Sequence, residues 1–189
     1  MCGRFYLDPE DIRELRTLYS LRDKKEYSPG MEIYYREKGS GFQKDLWGIQ
    51  TDFLNRLIIN SRIEKLYPAG FFLEDFIERR CIIPASYFFE WKKSGKTKTR
   101  YEIGVKESSY FYLAGLYRLN EEGKKELSIL TNSSFGEMES IHHRMPILLR
   151  PSEGDSYLEE SPEILIKELW KIKPDFIFRQ KDPEQLGFL

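Results

Sequence analysis

Short apolar segments that follow one another closely between residues 81 and 149 constrain the fold of this chain more than any other feature. They are rich in β-branched and aromatic residues and are separated by turn residues such as Ser94-Gly95-Lys96. Segments of this length and spacing are typical of antiparallel strands. Strands are predicted at residues 81–84, 87–91, 101–105, 110–117, 127–131 and 145–149, after earlier strands at residues 31–36 and 45–49. We therefore expect a sheet to dominate the fold.

Helical periodicity is confined to regions outside these strands. Asp8-Pro9-Glu10-Asp11 places a capping residue before a proline and acids, as at a helix start. Apolar residues then recur at helical spacing up to Tyr19, which predicts a helix of about three turns. Further helices are predicted over residues 71–79 and from Ser161 onward. The predicted class is α+β, with a mainly antiparallel, twisted, partly closed sheet or barrel and peripheral helices.

The composition is that of one globular domain over residues 1–189. Of the 189 residues, 40% are hydrophobic, which is enough for a substantial core. No apolar run reaches the roughly 18 residues of a membrane span, and no signal-peptide pattern is visible. With only two cysteines, the chain is expected to be a cytoplasmic monomer without disulfides.

Charge is unevenly distributed along the chain, although the formal net charge is only −1. Residues 79–100 contain seven bases and one acid, whereas residues 151–189 contain nine acids and five bases. The basic stretch can attract phosphates locally. For residues 92–98 alone, the alternative is a solvated hairpin loop. The acidic residues 150–189 are expected to form a cover packed on the body of the domain.

Cys2 stands where a cysteine has chemistry that an internal cysteine lacks. Removal of Met1 would leave Cys2 with a free α-amine and a thiol on adjacent carbons, and both groups are partly nucleophilic near neutral pH. The amine can condense with an aldehyde, and the sulfur can then close a five-membered thiazolidine ring. The alternative is that Cys2 is an ordinary residue of a frayed terminus.

Reactive side chains also occur where internal apolar runs end. At such positions a rigid element can present a group to a cleft. Asn60 can donate to an oxyanion or a ring oxygen, and Arg62 can bind a phosphate; the alternative is a polar turn. Glu90 lies among aromatic residues, and burial there favours the protonated carboxyl, which suits proton transfer. The alternative is an outward-facing Glu90 paired with Lys92 or Arg100.

Residues 141–146 contain the only two histidines of the chain. A histidine can move a proton near pH 7, but adjacent side chains point in different directions, so one of the pair is expected to reach a given site. We choose His142, and Arg144 is a candidate for binding a phosphate. No metal site is predicted, because the cysteines and histidines lack metal-ligand spacing. No cofactor is predicted, since Gly95-Lys96-Thr97 lacks the first glycine of a phosphate-binding loop.

Five segments, taken together and in chain order, resemble the SRAP (SOS response-associated peptidase) family of abasic-site processing proteins. They are Met1-Cys2-Gly3-Arg4-Phe5, Asn60-Ser61-Arg62-Ile63-Glu64, residues 79–91, Ala114-Gly115-Leu116-Tyr117 and His142-His143-Arg144-Met145-Pro146. The resemblance covers most of residues 2–149. It implies that the partner is single-stranded DNA with an abasic site, and that Cys2 cross-links to the ring-opened sugar aldehyde. It also implies that the protein removes its own Met1, hence a peptidase activity beside lyase-like Schiff-base chemistry.

The resemblance implies roles for the other candidate residues. Asn60 would orient or polarise the sugar, while Glu90 and His142 would transfer protons during ring opening and imine formation. The candidate contacts to DNA, by phosphate binding or base stacking, are Arg4, Arg62, Arg144, Arg79 and Trp91.

Two departures from the family pattern concern the shape of the DNA cleft. Trp47-Gly48-Ile49 continues as Gln50-Thr51-Asp52-Phe53, without the usual proline and second tryptophan. Tyr87 stands where a glycine is usual before the aromatic pair. These changes affect how bases are wedged or stacked, and whether double-strand junctions fit.

Two other functions stay open on the residues alone. In an N-terminal-nucleophile amidohydrolase or peptidase, the Cys2 thiol would attack an amide and its own amine would serve as the base. In a non-covalent single-stranded DNA binder, Cys2 would be incidental.

Overall fold

The computed structural model describes residues 2–66, 69–106, 108–181 and 184–185, and three short helices flank the strands of this part of the chain. The helices are α1 (Leu73–Glu78), α2 (Gly154–Glu159) and α3 (Pro162–Leu169). The first eight strands are β1 (Phe5–Leu7), β2 (Lys25–Tyr27), β3 (Glu32–Glu37), β4 (Gln43–Trp47), β5 (Ile49–Thr51), β6 (Leu54–Ile58), β7 (Asn60–Arg62) and β8 (Arg80–Ala85). The others are β9 (Tyr87–Ser94), β10 (Thr97–Val105), β11 (Phe111–Leu119), β12 (Lys125–Ser133), β13 (Arg144–Pro146), β14 (Leu148–Leu149), β15 (Phe176–Gln180) and β16 (Glu184–Gln185).

Five of these strands close into a barrel. β12 pairs with β4 in parallel, and the pairs β4–β3, β3–β8, β8–β11 and β11–β12 are antiparallel, so the ring returns to its first strand. The arrangement confirms the predicted fold class, a mainly antiparallel and closed sheet with few helices. β7 and β13 extend β12 beyond the ring.

The barrel wall is buried on both faces, which explains the continuous apolar sequences of β8 and β11. Successive side chains of a strand point to opposite faces, so Ile83 belongs to one core cluster and Ile82 to the other. Leu113 and Ala114 divide between the two clusters in the same way. A Cβ at Gly115 would lie 3.0 Å from the Cys81 sulfur, so the close packing of β8 and β11 requires glycine there.

A second antiparallel sheet, in the order β15-β10-β9-β1-β2, contains the amino-terminal strand. Phe5 of β1 pairs with Phe88 on one side and with Tyr27 on the other. β1 is therefore an interior strand, hydrogen-bonded along both edges, and it holds the residues that precede it in a fixed place.

The acidic region near the carboxyl end divides into helices and a strand. Leu165 and Leu169 of α3 are buried in the second core cluster, as their helical spacing predicts. β15 pairs with β10 and so belongs to the second sheet; this part of residues 150–189 is a strand of the sheet rather than a cover. Within the described residues, no helix is long and apolar enough to cross a membrane.

The prediction of a regular α-helix from Asp8 to Tyr19 is wrong. A short 3₁₀ turn occupies Pro9–Asp11, and residues 12–18 form successive turns rather than an α-helix. Ile12 and Leu15 are fully buried, but Leu18 is 56% exposed. Packing of an apolar face against the rest of the protein stabilises most helices. Here only two residues of that face are buried, which is too few to stabilise a regular α-helix.

Candidate active site

Cys2 is fully buried and is held from two sides. The amide of Phe89 on β9 donates to the carbonyl of Arg4 (2.9 Å), which anchors the segment before β1. The Cys2 thiol points back to that same carbonyl, with an S···O distance of 3.9 Å. From β7, the Nδ2 of Asn60 donates to the Cys2 carbonyl at 2.8 Å. The alternative of a frayed terminus does not fit this structure.

Electrostatics keep the thiol of Cys2 protonated. Burial is the larger cause and the nearby carboxylate of Glu90 is the second, and together they raise the pKa of the Cys2 thiol to about 12. Glu90 itself is only 3% exposed, so the alternative of an outward-facing glutamate paired with Lys92 or Arg100 is wrong. The structure brings together two of the predicted catalytic residues, and the sulfur is a weak nucleophile in this state.

Asn60 contacts Cys2 directly. The parallel pairing of β7 with β12, in which Asn60 lies opposite Ile129, positions the amide beside Cys2. With Nδ2 donating to the Cys2 carbonyl, the Oδ1 of Asn60 is buried and accepts no hydrogen bond from any residue in the described ranges. Asn60 thus fixes Cys2 and retains an acceptor for a further donor in the site.

His142 lies on the segment that leads into β13 and is partly buried. Its ring stacks on that of His143, with ring centroids 4.4 Å apart, and charge on His142 is the main cause that lowers the pKa of the exposed His143. The Nδ1 atom of His142 lies 3.0 Å from the backbone nitrogen of Arg144. His142 is therefore the histidine that is held against the protein, whereas His143 is exposed; that His142 reaches the reactive site stays a prediction.

The guanidinium of Arg144 faces the protein interior. Its side chain is 6% exposed and forms an ion pair with Glu64. The Nη2 atom donates to the second Glu64 oxygen at 3.0 Å and to the Thr131 carbonyl at 2.8 Å. The prediction that Arg144 binds a phosphate is not supported, because these partners occupy the guanidinium and little of it reaches solvent.

Arg79 likewise does not reach the site. It pairs with three acids of α1, namely Glu74 at 2.8 Å, Asp75 at 2.9 Å and Glu78 at 3.4 Å. Three carboxylates around one guanidinium remove the excess positive charge that would attract a phosphate. The structure therefore does not support the prediction that Arg79 contacts DNA.

Two further predicted contacts, Arg4 and Trp91, lie on a half-buried basic and aromatic surface, which we define as Arg4, Trp91, Lys98 and Arg100. The Arg4 guanidinium lies 5.7 Å and the Lys98 ammonium 4.7 Å from the centroid of the Trp91 ring. Arg4 and Arg100 both pair with Glu26. Sequence reasoning did not single out Lys98 or Arg100, although both belong to the basic stretch. The fifth predicted contact, Arg62, is exposed on β7, two residues after Asn60.

The two sequence departures have identifiable places in the fold. Trp47 is fully buried and donates its indole N–H to a backbone carbonyl at 3.0 Å. The segment that follows it forms the β5–β6 hairpin, whose turn exposes 64% of Phe53. Phe53 packs edge-to-face on Phe71, with centroids 5.2 Å apart. Tyr87 stacks on Tyr6, with ring centroids 4.7 Å apart, so the second departure adds an aromatic ring.

Cavity size does not locate this site. A cavity of about 980 Å³ lies between α3 and the strands β10 and β14, and none of the predicted site residues lines it. The chemistry is instead concentrated at Cys2, where a buried sulfur, an amide and a carboxylate meet. Within the residues that the structure describes, no three His, Cys, Asp or Glu side chains are grouped as metal ligands.

The fold and the site together define a class of protein, an antiparallel barrel domain that buries a cysteine from the second position beside an asparagine and a glutamate. The chain belongs to the SOS response associated peptidase (SRAP) family, whose model matches residues 1–176.

Named relatives and solved structures agree with this assignment. The chain is 32% identical over 179 residues to abasic site processing protein YoqW of Bacillus subtilis, with 84% of this chain and 80% of that protein covered. It is 28% identical to abasic site processing protein YMR114C of Saccharomyces cerevisiae, covering 89% of this chain and 50% of that protein. The crystal structure of a phage-related protein of Bordetella bronchiseptica shares the fold at a TM-score of 0.77 and 21% identity, over 95% and 94% of the two chains.

Proposed function

We propose that this protein recognises abasic sites in single-stranded DNA and forms a covalent thiazolidine cross-link through Cys2 after Met1 is removed. One observation carries the proposal: Cys2 is fully buried, held at its carbonyl by Asn60 and influenced at its thiol by Glu90. Membership of the SRAP family and the names of the relatives support abasic sites as the target.

The first step of the proposed mechanism releases the amine. Hydrolysis of the Met1–Cys2 amide consumes one water and yields methionine and a free α-amine on Cys2. The family name supports a peptidase step of this kind. Until that bond is cleaved, the Cys2 nitrogen is an amide and cannot attack a carbonyl.

Proton transfer then opens the sugar. An abasic deoxyribose is mostly a closed hemiacetal, so a proton must leave O1 and another must reach the ring oxygen before the aldehyde exists. This needs one acid and one base, and Glu90 and His142 are the candidates in either order. Asn60, whose Oδ1 retains an acceptor position, would help to orient the sugar hydroxyls.

Amine attack precedes sulfur attack. The Cys2 amine adds to C1 and water leaves, giving an imine; the thiol then adds to the imine carbon while its proton passes to nitrogen. The high pKa of the thiol supports this order, because a protonated sulfur is a poor first nucleophile. For the same reason it weighs against an amidohydrolase in which the thiolate attacks first.

Contacts outside the reacting atoms would supply non-covalent affinity. Trp91 can stack on a base, while Arg4, Lys98 and Arg62 can neutralise phosphates. Arg4 and Lys98 both lie close to the Trp91 ring, so stacking and charge would act at one place. We further propose that the protein acts as a monomer in the cytoplasm.

A denaturing gel tests the proposal. Protein incubated with a single strand from which uracil has been excised should give a shifted band, with an intact mass equal to the sum of the two less one water. Cys2→Ala should abolish the band. Cys2→Ser should lose the stable adduct while retaining some strand nicking, because an imine that sulfur has not trapped permits β-elimination. Cys81→Ser, which alters the other buried cysteine, is the matched control and should cross-link normally.

Two outcomes would contradict this function. An equally durable cross-link in Cys2→Ala would exclude the ring mechanism. Equal, reversible binding of abasic and intact strands, with only unmodified protein in the mass spectrum, would favour the non-covalent binder.

A further inference from the structure

A polar network, buried at Arg144 and Thr131 and partly exposed at Glu64, adjoins His142. Its members are the side chains of Glu64, Thr131 and Arg144, which come from the turn after β7, from β12 and from β13. Arg144 Nη2 contacts the Thr131 hydroxyl at 3.0 Å as well as its carbonyl at 2.8 Å. The same strand, β12, lies between β7 and β13, since Thr131 pairs with residues of both. The network therefore ties three neighbouring segments together.

The charge state of this network is fixed. Burial acts to raise the pKa of Glu64, but the hydrogen bonds from Arg144 lower it below its ordinary value. The pair is thus ionised at neutral pH. A salt bridge whose arginine is 6% exposed holds the backbone of that arginine far more rigidly than a solvated pair would.

The backbone of Arg144 is what His142 touches. Nδ1 of His142 lies 3.0 Å from the Arg144 amide nitrogen and 3.0 Å from its carbonyl oxygen. A neutral ring can accept at Nδ1 from the amide N–H, with its proton on Nε2, or donate from Nδ1 to the carbonyl. Because the backbone N–H cannot turn away from a proton on Nδ1, the arrangement favours the Nε2–H tautomer. In the charged ring, Nδ1–H can donate to the carbonyl. Both protonation states of His142 therefore have a partner at Nδ1.

We propose that Glu64 and Arg144 are positioning residues for His142, which act by fixing the Arg144 peptide that selects the imidazole tautomer. This inference rests on the proposed function for its kinetic consequence. It assigns Arg144 a different role from the phosphate contact that its sequence motif implies. It gives Glu64, which sequence analysis assigned no role, a part in proton transfer.

The chain is well suited to a spectroscopic test, because it has only two histidines. Imidazole ¹⁵N spectra of the protein without DNA should show His142 as the Nε2–H tautomer, and His143→Gln assigns the signals. Glu64→Gln removes the charge that fixes Arg144 and should shift His142 toward a mixture of tautomers. Glu74→Gln is the matched control, since it removes an acid from an exposed arginine pair, and it should leave the spectrum unchanged.

Kinetics distinguish positioning from DNA contact. In single-turnover cross-linking, Glu64→Gln should slow adduct formation by about tenfold to a hundredfold, the range expected for a misplaced catalytic group. Its Kd for an intact single strand should stay within about twofold of wild type, because no phosphate contact is lost. Thr131→Val, which deletes one acceptor of Arg144, should act in the same direction with a smaller effect, and it serves as the second variant if Glu64→Gln does not fold.

Each result decides the inference. A wild-type tautomer and rate in folded Glu64→Gln would overturn it, and so would a loss that appears wholly in Kd. If wild-type protein forms no cross-link at all, the proposed function fails, while the ¹⁵N spectra still test the positioning of His142 independently.

Discussion

The reactivity of the Cys2 thiol can be worked out from its surroundings. With a pKa of about 12, roughly one thiol in ten thousand is ionised at pH 8, whereas a thiol at the ordinary value of 9.0 is ionised to about one-tenth. Since the thiolate is the reactive form, alkylation of Cys2 should be about a thousandfold slower than in the unfolded chain. Burial adds a steric barrier, so the thousandfold figure is a lower bound.

Glu90→Gln is the informative substitution, because it removes one of the two principal causes of the raised Cys2 pKa and keeps the shape of the side chain. The neutral amide no longer repels a thiolate, so alkylation of Cys2 should become faster than in the wild type. It should stay slower than in the unfolded chain, since burial is the larger cause of the raised pKa. Cys81, which is also buried with a raised pKa, should be unaffected and provides an internal control.

Iodoacetamide labelling followed by peptide mapping measures both cysteines in one sample, on chain shown by intact mass to retain Met1. The rate at Cys2 should rise about tenfold per pH unit through pH 10, where an ordinary thiol has levelled off. Levelling near pH 9 in the folded protein would refute the reasoning. So would a Glu90→Gln rate identical to that of the wild type.

Further predictions concern stability and can be checked by chemical denaturation. Cys2 has a folded pKa above its unfolded value, so its contribution to the free energy of unfolding should be complete below pH 9.0 and should fall as pH rises toward 12; a flat profile would contradict it. Asp75→Asn should lower the free energy of unfolding by about 3 kcal/mol, because it leaves Arg79 and Arg118 without the fully buried carboxylate that both contact. A decrease of less than about 1 kcal/mol would contradict this role of Asp75. Arg80→Lys should cost about 2–4 kcal/mol, since the guanidinium donates to five backbone carbonyls that an ammonium cannot all satisfy.

Local patterns in the sequence were sufficient for the barrel wall, whereas they left two alternatives for Glu90, buried or outward-facing. Runs such as those of β8 and β11 are apolar without alternation because both faces are covered, and this marks interior strands. Glu90 follows two aromatic residues, and its register opposite Tyr101 places it in the interior. For the barrel wall the residues that decide the outcome are neighbours in the chain, whereas for Glu90 the pairing with another strand decides it.

Contacts between distant segments could not be read in the same way. The Asn60–Cys2 hydrogen bond spans 58 positions and the Arg144–Glu64 pair spans 80. Both contacts depend on which strands pair with β12. The periodicity of the sequence does not reveal strand partners, and the pairing of β7 with β12 is parallel. A burial pattern could not show that Arg144 turns inward, because arginine is usually exposed.

For Arg79, by contrast, the sequence did hold a usable signal. Asp75 lies four positions earlier on a predicted helix, and acids at that spacing pair with a following arginine. Counting bases in a stretch, without counting the acids that precede it by a helical turn, overestimates the charge available to a partner.

The anchoring of the amino-terminal strand determines which molecule must move. With Arg4 bonded to Phe89 and Tyr6 bonded to Ser86, the cysteine end cannot swing outward to search for damage. In the proposed mechanism, the damaged strand must therefore bend its own backbone inward to bring an unstacked sugar to Cys2. The rate of cross-linking should then increase with the flexibility of the damaged strand. Rigid, base-stacked strands should react more slowly than flexible ones.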